Sequence, residues 1–288
     1  MLLGDWAYGR VLAVDLEPDG ASYTGVPMPF LQGRPFNVTD FEFGPDGALY
    51  LTTGGRGSQS GLYRVRWTGE APAASKPTRE ERLATGARAR RQVIEASHRA
   101  LDAVDWTELV DALGDRDPAI RRAARIGVEH AMRAARDGRL DATVDEIVEA
   151  LQELPADGGG WDGAIAVMRA GDRASAIGAV EMLGMLADED DSPSGRRALA
   201  RAAGLLIARH GPLEPEVRAA VLEVVDPTFP TGRFEADRGL VEVLVALDAP
   251  DTAGRTLDLV ADAASPSEAM HFLPVSYTHL TLPTICSV

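Results

Sequence analysis

The chain has 288 residues, of which 45% are hydrophobic and 25% are charged, and its formal net charge is −15. This balance is ordinary for a globular protein of one or two domains, and the negative charge argues against binding to nucleic acids or anionic membranes. No apolar run approaches the roughly 18 residues that a membrane helix requires. The single cysteine, Cys286, excludes an internal disulfide and a Cys-x-x-Cys-His haem motif within this sequence. The start at Met1–Trp6 lacks the basic residues and the apolar middle of a signal peptide.

The beginning of the chain predicts short antiparallel strands. Gly9–Leu16 alternates in the manner of a strand, Pro18–Gly20 predicts a turn, and Ser22–Leu31 predicts the returning strand. Because Pro27 and Pro29 cannot donate to a sheet ladder, we expect the returning strand to lie at a sheet edge.

The stretch Asn37–Arg66 predicts a meander of three further strands. Aromatic and charged side chains alternate in Phe41–Phe43, a turn is indicated at Gly44–Gly47, and Leu49–Leu51 alternates again. A glycine-rich segment follows Leu49–Leu51, and a last strand is predicted after that segment.

The run Thr52–Val65, TTGGRGSQSGLYRV, is similar to a blade of glucose/sorbosone dehydrogenase-like β-propellers. It most resembles the final blade of the haem-containing dehydrogenases of planctomycete-type bacteria, in which a propeller precedes helical repeats and a cytochrome c module. The resemblance covers nearly all of residues 5 to 273. Residues 1–70 supply about five strands, whereas a closed propeller requires at least four blades of four strands. We therefore expect Met1 to be an internal start.

The pattern changes to a helical period after a polar linker. Trp106–Leu113 predicts one helix, and Ala119–Arg133 predicts a second, with Asp117 as its N-cap and Pro118 at its first position. This pair resembles a HEAT repeat. Ile120 is predicted to face inward, and Trp106 is predicted to lie in the core. Further helices are predicted at Val144–Leu154, Trp161–Arg169, Ser175–Leu186, Ser194–Arg209, Glu214–Val225, Phe234–Leu247, Thr252–Ala263 and from Ser265 onward.

These patterns predict an α+β multidomain chain. A partial β-propeller at 1–70 (the final blade and part of the preceding one) is followed by a linker at 71–77 and by an all-α solenoid of HEAT-like or armadillo-like repeats at 78–274. Val275–Thr284 resembles one reading frame of a transposase adaptor used in DNA library preparation, so 275–288 is predicted to be an artefactual tail.

The candidate site residues are Asp40 and Arg56, both assigned to the propeller pocket. Quinoprotein sugar dehydrogenases place an Arg-x-Arg-Asp segment before the last turn, where the arginines contact pyrroloquinoline quinone. Here the matching segment is Asn37–Asp40, so only the aspartate is retained. Arg56 lies in a glycine-rich loop and could either line a pocket or fix the loop.

The sequence predicts no catalytic residue and no metal site. Asp188–Asp191 lacks the glycine and the distal glutamate of a calcium loop, which favours a solvated acidic loop. The histidines at 98, 130, 210 and 271 are scattered singly, and no nucleophile, base and orienting group come together.

Two functions remain open from the sequence. The resemblance implies a non-catalytic fragment of a periplasmic or otherwise extracytoplasmic haem c-dependent dehydrogenase, with helices that link the catalytic part to the cytochrome c module or dock that module. Sugar or alcohol oxidation, haem c and any pyrroloquinoline quinone would belong to the parent protein. The alternative is a stand-alone helical-repeat module for protein interaction with no redox role.

Overall fold

The computed structural model describes residues 1–55, 57–70, 76–100 and 103–273, and it divides into two compact units. The first unit ends at Ala89 and the second begins at Arg90. The predicted tail at 275–288 and most of the predicted linker, residues 71–75, lie outside the described residues.

The first unit is built on short antiparallel strands. Its strands are β1 (Leu2–Asp5), β2 (Arg10–Val14), β3 (Glu17–Asp19), β4 (Ser22–Thr24), β5 (Pro27–Gln32), β6 (Val38–Phe43), β7 (Leu49–Gly55) and β8 (Ser58–Val65). Three separate sheets result, with the orders β1-β2-β5, β3-β4 and β6-β7-β8.

The predicted strand Ser22–Leu31 is divided between two sheets. Its first part is β4, which pairs with β3, and its second part is β5, which pairs with β2 at a sheet edge as the prolines predict. The division falls near Gly25, where an added Cβ would lie 2.5 Å from the carbonyl oxygen of Asp15. Only glycine allows the chain to pass so close to the β2–β3 connection.

The meander predicted for Asn37–Arg66 is present as β6-β7-β8. Phe41 pairs with Leu51, which pairs in turn with Tyr63. Alternate residues of β7 are buried, with Leu49 at 3% and Leu51 at 1% relative exposure. The alternation of hydrophobic residues therefore predicted the strands, and the structure shows that Leu49 and Leu51 lie on the face of β7 that packs inward.

The predicted fold class is nevertheless wrong in its β part. Strands of the described residues form sheets of three, two and three members, and none of these sheets closes into a barrel or a propeller. The reason is that hairpin turns and period-2 alternation specify pairing between neighbouring strands. They do not specify a fourth strand or the radial arrangement of blades.

The turn of the meander carries a cluster of polar contacts around Asp46. Its Oδ2 accepts hydrogen bonds from Arg64 Nη2 at 2.6 Å and from the Tyr50 hydroxyl at 3.0 Å, and its Oδ1 accepts the N–H of Ala48 at 3.1 Å. The bond from Arg64, followed by that from Ala48, lowers the pKa of the Asp46 carboxyl to about 2.

We expect the Asp46 carboxyl to titrate near pH 2 in the folded protein, and we expect Arg64→Gln to raise its pKa towards 3.8. Because the pKa is lowered by folding, this interaction stabilises the folded state above pH 3.8, and the contribution is lost as the pH falls towards 2. Carboxyl carbon shifts followed by NMR would measure the pKa. Arg66→Gln, an equal charge change outside the cluster, should leave it unaltered; a similar rise in both variants would contradict the assignment to Arg64.

The second unit is helical, and helix α1 (Arg79–Ala96) contains the boundary between the units. The following helices are α2 (Trp106–Ala112), α3 (Pro118–Arg136), α4 (Val144–Gln152), α5 (Gly160–Ala170), α6 (Arg173–Gly178), α7 (Val180–Glu189), α8 (Pro193–His210), α9 (Pro215–Val225), α10 (Phe234–Ala246) and α11 (Thr252–Ala261). Residues 266–273 are also helical. The region predicted as helical repeats is thus helical, and it is in this helical content that the prediction agrees with the structure.

Four helices form a continuous row through the second unit. Helix α3 packs on α5, α5 packs on α8, and α8 packs on α10, while α2 covers α3 and α11 contacts α10. Small residues allow the close approach of these helices. Those that are buried in the row include Ala123, Ala124, Ala164, Ala166, Ala202 and Ala203.

The helix pair predicted at residues 106–133 forms as α2 and α3. Asp117 is the N-cap of α3, and its side chain accepts the N–H of Ala119 at 2.8 Å, with Pro118 in the first turn. Ile120 is buried, as its predicted inward position requires. Trp106, expected in the core, is only half-buried at the start of α2.

The helix predicted at Ser175–Leu186 is broken into α6 and α7. The break falls at Ala179, whose φ of −80° and ψ of 1° are not helical. Ala179 is fully buried, so packing of this residue overrides a hydrophobic pattern that was continuous in the sequence.

Candidate functional site

The two predicted site residues are not brought together by the described structure. Asp40 lies on β6 with its side chain exposed, and its Oδ1 accepts the N–H of the adjacent Phe41 at 2.8 Å. Arg56 lies outside the described residues. The Asp40 side chain lines none of the cavities described below, although Asp40 pairs with Thr52, which lines one of them.

An open depression of about 690 Å³ lies beside β6 and β7. Thr39, next to Asp40, is in its wall, and the Thr39 hydroxyl lies 2.9 Å from that of Thr52. The other lining residues are Trp6, Thr53, Gly54, Gly55, Ser60, Gly61 and Leu62. None of these described lining residues is cationic, so no described residue of the depression offers an anionic quinone a charged partner.

The acidic loop at 188–191 has a structural role. Asp190 Oδ2 accepts the indole N–H of Trp161 at 3.0 Å, and its Oδ1 accepts the N–H of Ser192 at 3.0 Å. Burial raises the pKa of the Asp190 carboxyl, but the hydrogen bonds from Ser192 and Trp161 outweigh it and leave the pKa lowered. Within the described ranges, no group of three or more His, Cys, Asp or Glu side chains is arranged to hold a metal ion.

A buried carboxylate on α3 is surrounded by arginines. The Glu129 side chain is 3% exposed, and its Oε1 lies 2.9 Å from Arg125 Nη1 and 2.9 Å from Arg169 Nε. Its Oε2 lies 3.3 Å from Arg133 Nη2. Burial lowers the pKa of the Arg125 guanidinium, and the nearby Glu129 and Asp162 carboxylates partly offset this effect. The cluster therefore joins α3 to α5 through a network in which arginines outnumber carboxylates.

A groove of about 520 Å³ runs between α8 and α10. Its floor consists of small and apolar residues: Ala200, Gly204, Leu205, Ala208, Gly239, Val243 and Ala246. Arg197, Arg201 and Arg238 lie at its rim with exposed side chains, together with Glu235 and Glu242. An apolar floor with a charged rim is typical of a surface that receives a protein segment.

A third cavity, of about 400 Å³, has only polar residues in its described wall. It is lined by Ser97, His98, Arg99, His130, Arg133 and Arg139. We call it the basic pocket. Every ionisable side chain of this lining is basic, in a protein whose net charge is −15.

The two histidines of the basic pocket lie side by side. Their ring centroids are 5.9 Å apart, and His98 Nε2 donates to the carbonyl oxygen of Ala123 at 2.8 Å. Burial lowers the pKa of His130, and the neighbouring Arg133 and His98 lower it further. Sequence reasoning missed this cluster because His98 and His130 are far apart in the chain. The available signal was that each histidine is followed closely by arginine, at Arg99 and Arg133.

No protein-family model, curated protein or solved structure matches this chain. In the part of the chain that the structure describes, no helix is both long and apolar enough to cross a membrane.

Proposed function

We propose that the chain is a non-catalytic scaffold and that its helical unit docks a partner protein in the groove between α8 and α10. The observation that carries this proposal is the combination of a small-residue floor with three exposed arginines at the rim. In the longer protein that the sequence resemblance implies, the partner is the cytochrome c module of an extracytoplasmic haem c-dependent dehydrogenase.

The charges of the groove define the surface that would fit it. The guanidinium groups of Arg197, Arg201 and Arg238 make no hydrogen bond or ion pair with other described residues, so their charges are available to a partner. Of the two rim carboxylates, Glu242 lies 3.7 Å from His271 Nε2. The matching surface is therefore an apolar segment flanked by carboxylates that face α8.

The proposal is tested by sequencing the locus downstream of this chain and measuring the binding of any encoded haem module by calorimetry. We expect a Cys-x-x-Cys-His motif downstream. We also expect Arg197→Glu with Arg201→Glu to weaken binding about tenfold or more, because like charges would then face each other across the interface.

Arg122→Glu with Arg116→Glu is the matched control, since both positions are exposed and lie outside the groove. Equal weakening in the control would show an effect of net charge rather than docking in the groove. A locus without a haem motif would refute the dehydrogenase assignment and leave the stand-alone interaction module.

A further inference from the structure

We propose that the basic pocket binds a tetrahedral oxyanion, either inorganic phosphate or the phosphate group of a small monoester. This inference does not depend on docking at the groove between α8 and α10, because none of the residues that line the basic pocket also lines that groove.

The cationic groups of the basic pocket are only partly neutralised by the protein. Arg133 contacts Glu129 at 3.3 Å, but that carboxylate is shared with two further arginines. Arg139 contacts Asp137 at 2.8 Å, and Asp137 is half exposed to solvent. The guanidinium group of Arg99 makes no hydrogen bond or ion pair with any other described residue. Positive charge thus remains for a ligand.

The donors in the basic pocket suit oxygen ligands with several acceptor positions. Guanidinium groups present paired N–H donors that match the geometry of phosphate oxygens. His98 and His130 add ring nitrogens to the same wall, and Nε2 of His98 is already fixed by the carbonyl oxygen of Ala123. A metal cation would instead have to approach three arginines, and none of the described lining residues carries a carboxylate.

The volume of the basic pocket agrees with a small ligand. Its roughly 400 Å³ falls within the range of about 300–1,000 Å³ that is usual for small-molecule sites. That space admits a phosphate group with a compact organic substituent and is too small for a second folded domain.

The experiment titrates inorganic phosphate into the whole chain at constant ionic strength and follows the ring resonances of His98 and His130 by NMR. We expect both sets of resonances to shift in a saturable manner, and calorimetry should give the same dissociation constant. Arg99→Gln combined with Arg139→Gln should weaken phosphate binding at least tenfold. Both residues are exposed, so the variant should remain folded.

Arg116→Gln combined with Arg122→Gln makes the same charge change at exposed positions outside the basic pocket and outside the groove between α8 and α10. This control should leave the dissociation constant within twofold of the parent value. Acetate at the same ionic strength should not shift the histidine resonances. The proposal is overturned if phosphate leaves both histidines unshifted, if acetate reproduces the shifts, or if the control variant weakens binding as much as the pocket variant.

Discussion

Replacing Ile120 with aspartate is expected to abolish cooperative folding of the helical unit or to lower its free energy of unfolding by more than about 4 kcal/mol. Ile120 is 2% exposed in the first turn of α3, which packs against α2. Truncating a buried isoleucine alone costs about 2–5 kcal/mol, and burying an unpaired carboxylate adds to that cost. A carboxylate near a helix N-terminus stabilises the helix by only about 0.3–1 kcal/mol. The cost of burial is larger, so the substitution destabilises the helical unit.

Ile120→Val is the matched control, because it keeps the β-branched apolar shape and removes one methyl group. It should cost only about 0.5–1.5 kcal/mol. Urea denaturation followed by circular dichroism measures both variants against the parent chain. Equal stability of the aspartate variant and the parent would show that Ile120 does not face the packed seam between α2 and α3.

The sequence predicted local structure best where a few adjacent residues determine it. The start of α3 is an example, because Asp117 supplies the cap and Pro118 supplies the fixed φ of a first turn. The β6-β7-β8 meander is another, because its turn and its alternating residues are all contained within a short stretch.

Arrangements that depend on distant residues could not be predicted in the same way. A propeller blade and an isolated three-stranded meander share the same turns and the same alternation, so the run Thr52–Val65 could not distinguish them. The break between α6 and α7 is similar, since it depends on the burial of Ala179 against other helices.

The candidate sites show the same limit. Asp40 was identified from a motif position, yet its side chain is exposed and bonded to its own neighbour. His98 and His130 were dismissed because no spacing rule joins them, and they meet only because α3 packs beside the segment that follows α1. Folding therefore created the basic pocket from residues that have no motif in common.

The contribution of the arginine cluster around Glu129 to stability depends on how deeply its charges are buried, and not on the number of its ion pairs. Pairs on the surface contribute about 0–1 kcal/mol, whereas a buried charge without its partner is costly. The side chains of Glu129 and Arg125 are 3% and 12% exposed. Arg133 and Arg169 are 37% and 41% exposed, so they can turn towards solvent if the carboxylate is removed.

Glu129→Ala is therefore expected to lower the free energy of unfolding of the helical unit by about 1.5–3 kcal/mol, because Arg125 loses its closest carboxylate. The loss stays below the cost of an uncompensated buried charge, since Asp162 Oδ1 remains 3.3 Å from Arg125 Nε. Asp137→Ala removes a carboxylate that is 49% exposed in its pair with Arg139, and it should cost less than about 1 kcal/mol.

Glu129→Leu combined with Arg125→Met removes both buried charges and should recover most of the loss, since apolar side chains of similar volume can replace a buried pair. Denaturant unfolding of the three variants measures these values. If the double variant is no more stable than Glu129→Ala, the lower free energy of unfolding is not caused by the Arg125 charge that has lost its closest carboxylate.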